Sequence, residues 1–224
     1  MLIAKANEEA MVYRIPPPHT PIPPSSHHLE SSEQHKRTDR IEEFDLLKIN
    51  IEQFILSIHD AKKYGNVFLQ MTNLKELIDS NILNADQEGI IISEMKGLES
   101  GLKDGSIKVN NLYDRLSLFN THLEVTFPKV KAFNIIQELK NNLCISPPDE
   151  LPPMDIEEFK SFEKDILSFL RKEKDIENFD FRVNNLFNKL KAANEHFLYH
   201  PRRHYPTAVN QLKQIPIDIW NGVI

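Results

Sequence analysis

The residues best suited to chemistry crowd into one stretch, His196-Phe197-Leu198-Tyr199-His200-Pro201-Arg202-Arg203-His204-Tyr205. His196 and His200 stand four apart, so on a continuous helix their imidazoles share a face, the spacing at which two histidines reach one metal ion. A working site needs a third ligand, and Glu195 does not occupy the place that a zincin motif requires. No metal or other cofactor is therefore expected. Arg202 and Arg203 add planar forked donors beside His200 and His204, a combination that holds phosphate or carboxylate. From Leu186 to Lys213 five Lys or Arg oppose one acid, a local excess of positive charge in an acidic chain. The simpler role for these residues is a basic helix end that balances a carbonyl-rich C-terminus. Anion or metal binding at His196, His200, Arg202, Arg203 and His204 is the competing expectation, and it is the one that leaves room for an enzyme.

A second cluster recognises partners rather than reacting. Six prolines fall between Pro16 and Pro24, and Pro18, Pro21 and Pro24 recur every third residue. That is the repeat of a polyproline II helix, the form in which SH3 and WW domains take their ligands. Arg14 is one residue out of register for the usual basic anchor, and no Pro-Pro-x-Tyr is present, so the segment reads first as a tail that adds a contact. Elsewhere the candidates thin out. Cys144 has no base near it in sequence and reads as a small filler, and the six glycines are too scattered to form a phosphate-cradling loop. Glu42-Glu43 and Glu157-Glu158 read as solvated helix faces. No catalytic residue is assigned.

Composition narrows the function further. A formal charge of −6 and a pI near 5.9 argue against general nucleic-acid binding, which needs Lys and Arg across a whole face. A single cysteine permits no internal disulfide and suits a reducing compartment. The opening MLIAKANEEA is interrupted at Lys5, Glu8 and Glu9, so no cleavable signal peptide is expected. No apolar run approaches the roughly 20 residues needed to span a bilayer. A soluble protein is expected, cytoplasmic or exported without a cleavable signal into a host cell, as a bacterial effector would be.

The elements that must position these residues are helical. Residues 1–38 read as a disordered proline-rich arm, because little there buries enough apolar surface to offset ordering. No proline occurs between Pro24 and Pro128. Within that stretch the apolar periodicity predicts a helix from Thr38 to Lys63, closed by Tyr64-Gly65-Asn66, then a short one capped by Thr72 or Asn73 and another capped by Asp86. Val109, Leu112, Leu116, Phe119 and Leu123 alternate three and four apart, a heptad seam. Pro128 suits the first turn of a further helix. Residues 39–145 thus form an N-terminal helical region. Residues 146–154 form a proline-rich connector, and residues 155–224 a C-terminal helical region packed on the former. In the latter Asp155 caps one helix, a long one ends at Pro201, and Pro206 opens a short last one before an apolar tail that packs Trp220 back. The fold class is all-α: an elongated bundle of seven or eight helices.

One pattern suggests that the bundle contains two related three-helix units. Val109-Asn110-Asn111-Leu112 returns as Val183-Asn184-Asn185-Leu186, and from Ile107 to Leu123 against Phe181 to Phe197 seven of 17 residues are identical. Asn120 pairs with Asn194 and His122 with His196, beside the seam, where polar side chains set helix register. The expected function is accordingly non-enzymatic: a helical adaptor or scaffold for a protein partner. Seams of this kind also permit homo-oligomers.

Overall fold

The computed structural model describes residues 26–58, 61–145, 147, 151, 153–199 and 201–224, with the side chains of residues 26–31, 61, 174, 196, 199 and 201–204 outside the description. Among the described residues the chain is all-helical, with no strand. Eight α-helices follow one another: α1 (Ser26–Ile58), α2 (Gly65–Asp79), α3 (Ala85–Lys103), α4 (Leu112–Thr126), α5 (Pro128–Lys140), α6 (Ile156–Leu170), α7 (Phe179–Tyr199) and α8 (Pro201–Trp220). Two compact units divide the chain, Met1–Lys36 and Arg37–Ile224. Of the first, the described part is the opening of α1. The second holds one hydrophobic core that runs from Phe44 to Ile224. No helix is long and apolar enough to cross a membrane, among the described residues.

Within the second unit α5 is the central element, packed on α4, α6 and α7, while α8 lies on α6 and α7 and α2 lies on α4. Heptad spacing explains why. Val109, Leu112, Leu116 and Leu123 are all buried, and so are Val183, Leu186, Leu190, Ala193 and Phe197 on α7. Asp155 caps α6 as its spacing predicts, its carboxylate accepting from the Glu157 amide at 2.7 Å.

Polar side chains fasten the first three helices. Glu88 on α3 is only 1% exposed, and its two oxygens accept from Arg37 Nε at 3.2 Å and Arg40 Nε at 2.7 Å on α1. Arg37 also donates to the Ile78 carbonyl at 2.7 Å, and Arg171, beyond α6, forks onto the Ser80 carbonyl at 2.6 and 3.1 Å. Carbonyls at a helix C-terminus have no intrahelical partner. Two guanidinium groups supply partners at the end of α2.

Several boundaries differ from the sequence expectation. Helix α1 begins at Ser26 rather than Thr38. Tyr64-Gly65-Asn66 opens α2 instead of closing α1, because the buried stripe Val67, Met71, Leu74 and Ile78 already starts there; Thr72 and Asn73 therefore lie inside the helix rather than at its cap. Helix α3 is capped by Asn84, not Asp86: its side chain accepts from the Gln87 amide at 3.0 Å and Gln87 reaches back to the Asn84 amide at 3.1 Å, a reciprocal capping box. Pro206 does not open the last helix. It lies inside α8, as does Pro216, and the buried row Ala208, Leu212 and Ile215 holds the helix through both.

The C-terminal tail packs back through Ile224, not Trp220. Gly222 at φ +72° turns the chain, Ile224 is buried, and its carbonyl receives the Arg182 guanidinium of α7, whose Nε lies at 2.6 Å. Trp220 is 89% exposed.

Candidate functional site

The sequence-picked residues can be placed only in part. Pro18, Pro21, Pro24 and His200 lie outside the described residues, and so do the side chains of His196, Arg202, Arg203 and His204, whose backbone belongs to α7 and the start of α8. Among the described residues no group of three His, Cys, Asp or Glu side chains is placed to hold a metal ion. Cys144 is half-buried just after α5, and burial pushes its thiol above the ordinary value, the opposite of an activated nucleophile.

A groove of about 720 Å³, the dimensions of a binding site, lies between α2, α4, α5 and the turn Asn141–Ile145 that follows α5. Two helices contribute polar stripes of identical spacing. On α4 the lining residues are Ser117, Asn120, Thr121 and Glu124; on α5 and just beyond they are Asn134, Gln137, Glu138 and Asn141. Both sets follow i, i+3, i+4, i+7, so each is one face of its helix. Helix α2 adds Gln70, Asn73 and Glu76, and the turn adds Asn142. Beneath them Leu74, Leu77, Val130 and Phe133 are buried, while Leu69 and Ile145 are exposed at the rim.

An amide side chain carries a donor and an acceptor together, and the groove holds seven: Gln70, Asn73, Asn120, Asn134, Gln137, Asn141 and Asn142. Some are positioned by neighbours. Asn120 on α4 donates to Gln70 on α2, Asn134 donates to Glu124 at 2.6 Å, and Gln137 donates to Glu163 of α6 at 3.0 Å. Asn73 and Asn141 are exposed.

The groove is acidic. Among the described residues Glu76, Glu124 and Glu138 line it against a single lysine, Lys140, whose Nζ stands 3.3 Å from both oxygens of Glu163 and is thereby matched. Burial pushes the Glu138 carboxyl above the ordinary value; a hydrogen bond from Asn194 opposes this, and the neighbouring charge of Glu124 adds to it. Asn194, on α7, is 3% exposed; it donates to Glu138 Oε2 at 3.0 Å and accepts from Asn142 at 3.1 Å. A residue expected to set helix register thus joins the α5–α7 interface to the groove wall. Its counterpart in the sequence echo, Asn120, lies in the groove itself.

Among the described residues no histidine, cysteine or arginine lines the groove; its hydroxyls are Ser117 and Thr121, and its lysine, Lys140, is held by Glu163 at 3.3 Å. Thr121 spends its hydroxyl on the Ser117 carbonyl at 3.0 Å within α4. No exposed aromatic ring lines the groove to stack on a base or a sugar face.

Sequence reasoning missed this site, although a signal was present. The polar stripes of α4 and α5 share one spacing and flank the buried rows of the same helices. Compared with known proteins, the chain matches no family model, no curated protein and no solved structure.

Proposed function

We propose that the protein is a non-enzymatic helical adaptor whose groove between α2, α4 and α5 receives a segment of a partner polypeptide. The observation that carries this reading is the amide-lined wall. Peptide groups offer one N–H and one C=O per residue, and Asn or Gln side chains meet both without needing a particular partner side chain. The volume of about 720 Å³ falls in the range of sites that enclose part of a ligand. The buried apolar floor and the exposed rim residues Leu69 and Ile145 supply the area from which affinity comes.

Site-specific photocrosslinking tests the reading. A photoreactive residue at position 69 or 145, on the rim, should form an adduct with a distinct polypeptide in a lysate of the source cells or their host. The same residue at exposed Ser93 of α3, outside the groove, should not. Equal labelling from all three positions, or an adduct only with a second copy of the chain, would defeat the adaptor reading.

A further inference from the structure

We infer that the occupant of the groove is a basic segment, one that presents Lys or Arg to the wall formed by Glu124 and Glu138. The inference rests on the adaptor reading and adds the chemistry of the partner. Charge complementarity carries it. Among the described residues three carboxylates line the groove, and the one cation, Lys140, is already matched by Glu163 at 3.3 Å. Any neutral or acidic segment entering would bring those carboxylates out of water without a counter-charge, which is costly. A Lys or Arg side chain removes that cost and makes charge-assisted hydrogen bonds, the stronger kind.

The arrangement also leaves a place for the cation. Glu124 is fixed through Oε1 by Asn134 at 2.6 Å, and Glu138 is fixed through Oε2 by Asn194 at 3.0 Å. Each carboxylate is therefore oriented from its own side by an amide that brings no charge. The repulsion between them is left in place, and a cation binding there relieves it. Arg suits this wall better than Lys, because its planar fork engages two acceptors at once.

The test uses the full chain and a positional-scanning array of capped decapeptides as the probe. Retained peptides should be enriched in Arg and Lys around an apolar residue. The double variant Glu124→Gln, Glu138→Gln, whose amides keep acceptors for Asn134 and Asn194, should bind the best of them at least about tenfold more weakly. Raised salt should weaken the parent in the same direction and leave the variant less affected. Should the variant lose its helical circular dichroism, the single changes and the salt series carry the test. Selection of neutral or acidic peptides, or a double variant that binds as tightly as the parent, would overturn the inference and leave the adaptor standing. An array that retains nothing would remove both.

Discussion

Replacing Asn194 by alanine tests the link between the groove wall and the helix interface. The side chain is 3% exposed and holds two partners, Glu138 at 3.0 Å and Asn142 at 3.1 Å. A hydrogen bond to a charged acceptor contributes roughly 1.5–3 kcal/mol and a neutral one about 1. Glu138 is exposed along the groove and can turn to water, so the lower end of the first range applies. The expected loss is about 2–3 kcal/mol. At roughly 2–4 °C per kcal/mol for a chain of this size, the midpoint should fall by about 4–12 °C. Asn120→Ala, at the equivalent place in the sequence echo, removes one contact to Gln70 in a half-open groove, and should cost under about 1 kcal/mol.

Urea unfolding at two pH values gives a sharper reading. The Asn194 amide donates more strongly to the ionised form of Glu138 than to the protonated one, so its removal hurts most where Glu138 is charged. Below the ordinary Glu value of 4.5 the carboxyl is increasingly protonated in both folded and unfolded chains, and the penalty should shrink to that of two neutral hydrogen bonds and the small void. Above that value and above the raised folded one it should be full. Equal penalties at pH 4 and pH 7, or a cost for Asn194→Ala no greater than for Asn120→Ala, would refute the reasoning.

Other outcomes follow from the same geometry. Glu88→Ala leaves Arg37 and Arg40 without their carboxylate; because both guanidinium groups reach water, the loss in urea unfolding should be about 2–4 kcal/mol rather than that of a fully buried pair. Gly101→Ala would place its Cβ 2.4 Å from Ile107 Cδ1 and 2.6 Å from Cγ1, so thermal melting should report a destabilisation of about 1–3 kcal/mol. Asp218 lies below its ordinary value of 3.8, held there by hydrogen bonds from Gln214 and Lys189, and Glu99 lies below 4.5 through Lys103. Their contributions are present above those values and disappear as pH falls through the lower folded ones, so Lys189→Met should flatten the acid limb of a stability profile. Trp220, the only tryptophan, is 89% exposed; its fluorescence should lie at the red limit for indole in water and be quenched freely by iodide.

Helix content, the heptad seams and, among the described residues, the absence of strands were legible in the sequence because burial periodicity writes them directly. Val183, Leu186 and Leu190 are buried for the same reason that Leu112 and Leu116 are. Caps and ends were harder. Asn84 and Asp86 are both good caps, and Gln87, three residues after Asn84, decides between them by completing the capping box. Pro206 and Pro216 read as breaks from local rules, yet the buried row on α8 overrides both. The groove was missed because a polar stripe on an isolated helix means solvent. It becomes a wall only when a second stripe, 17 residues further along on the next helix, faces the same space.

The most direct measurement is the side-chain amide spectrum of the ¹⁵N-labelled full chain, titrated with the best basic peptide from the array. The account predicts that the NH₂ signals of Asn73, Asn120, Asn134 and Gln137 shift together on one binding curve, while Asn50, bonded to Glu99 at 2.7 Å, and exposed Asn184 on α7 stay in place. Shifts at Asn50 or Asn184 with the groove amides unmoved would contradict it.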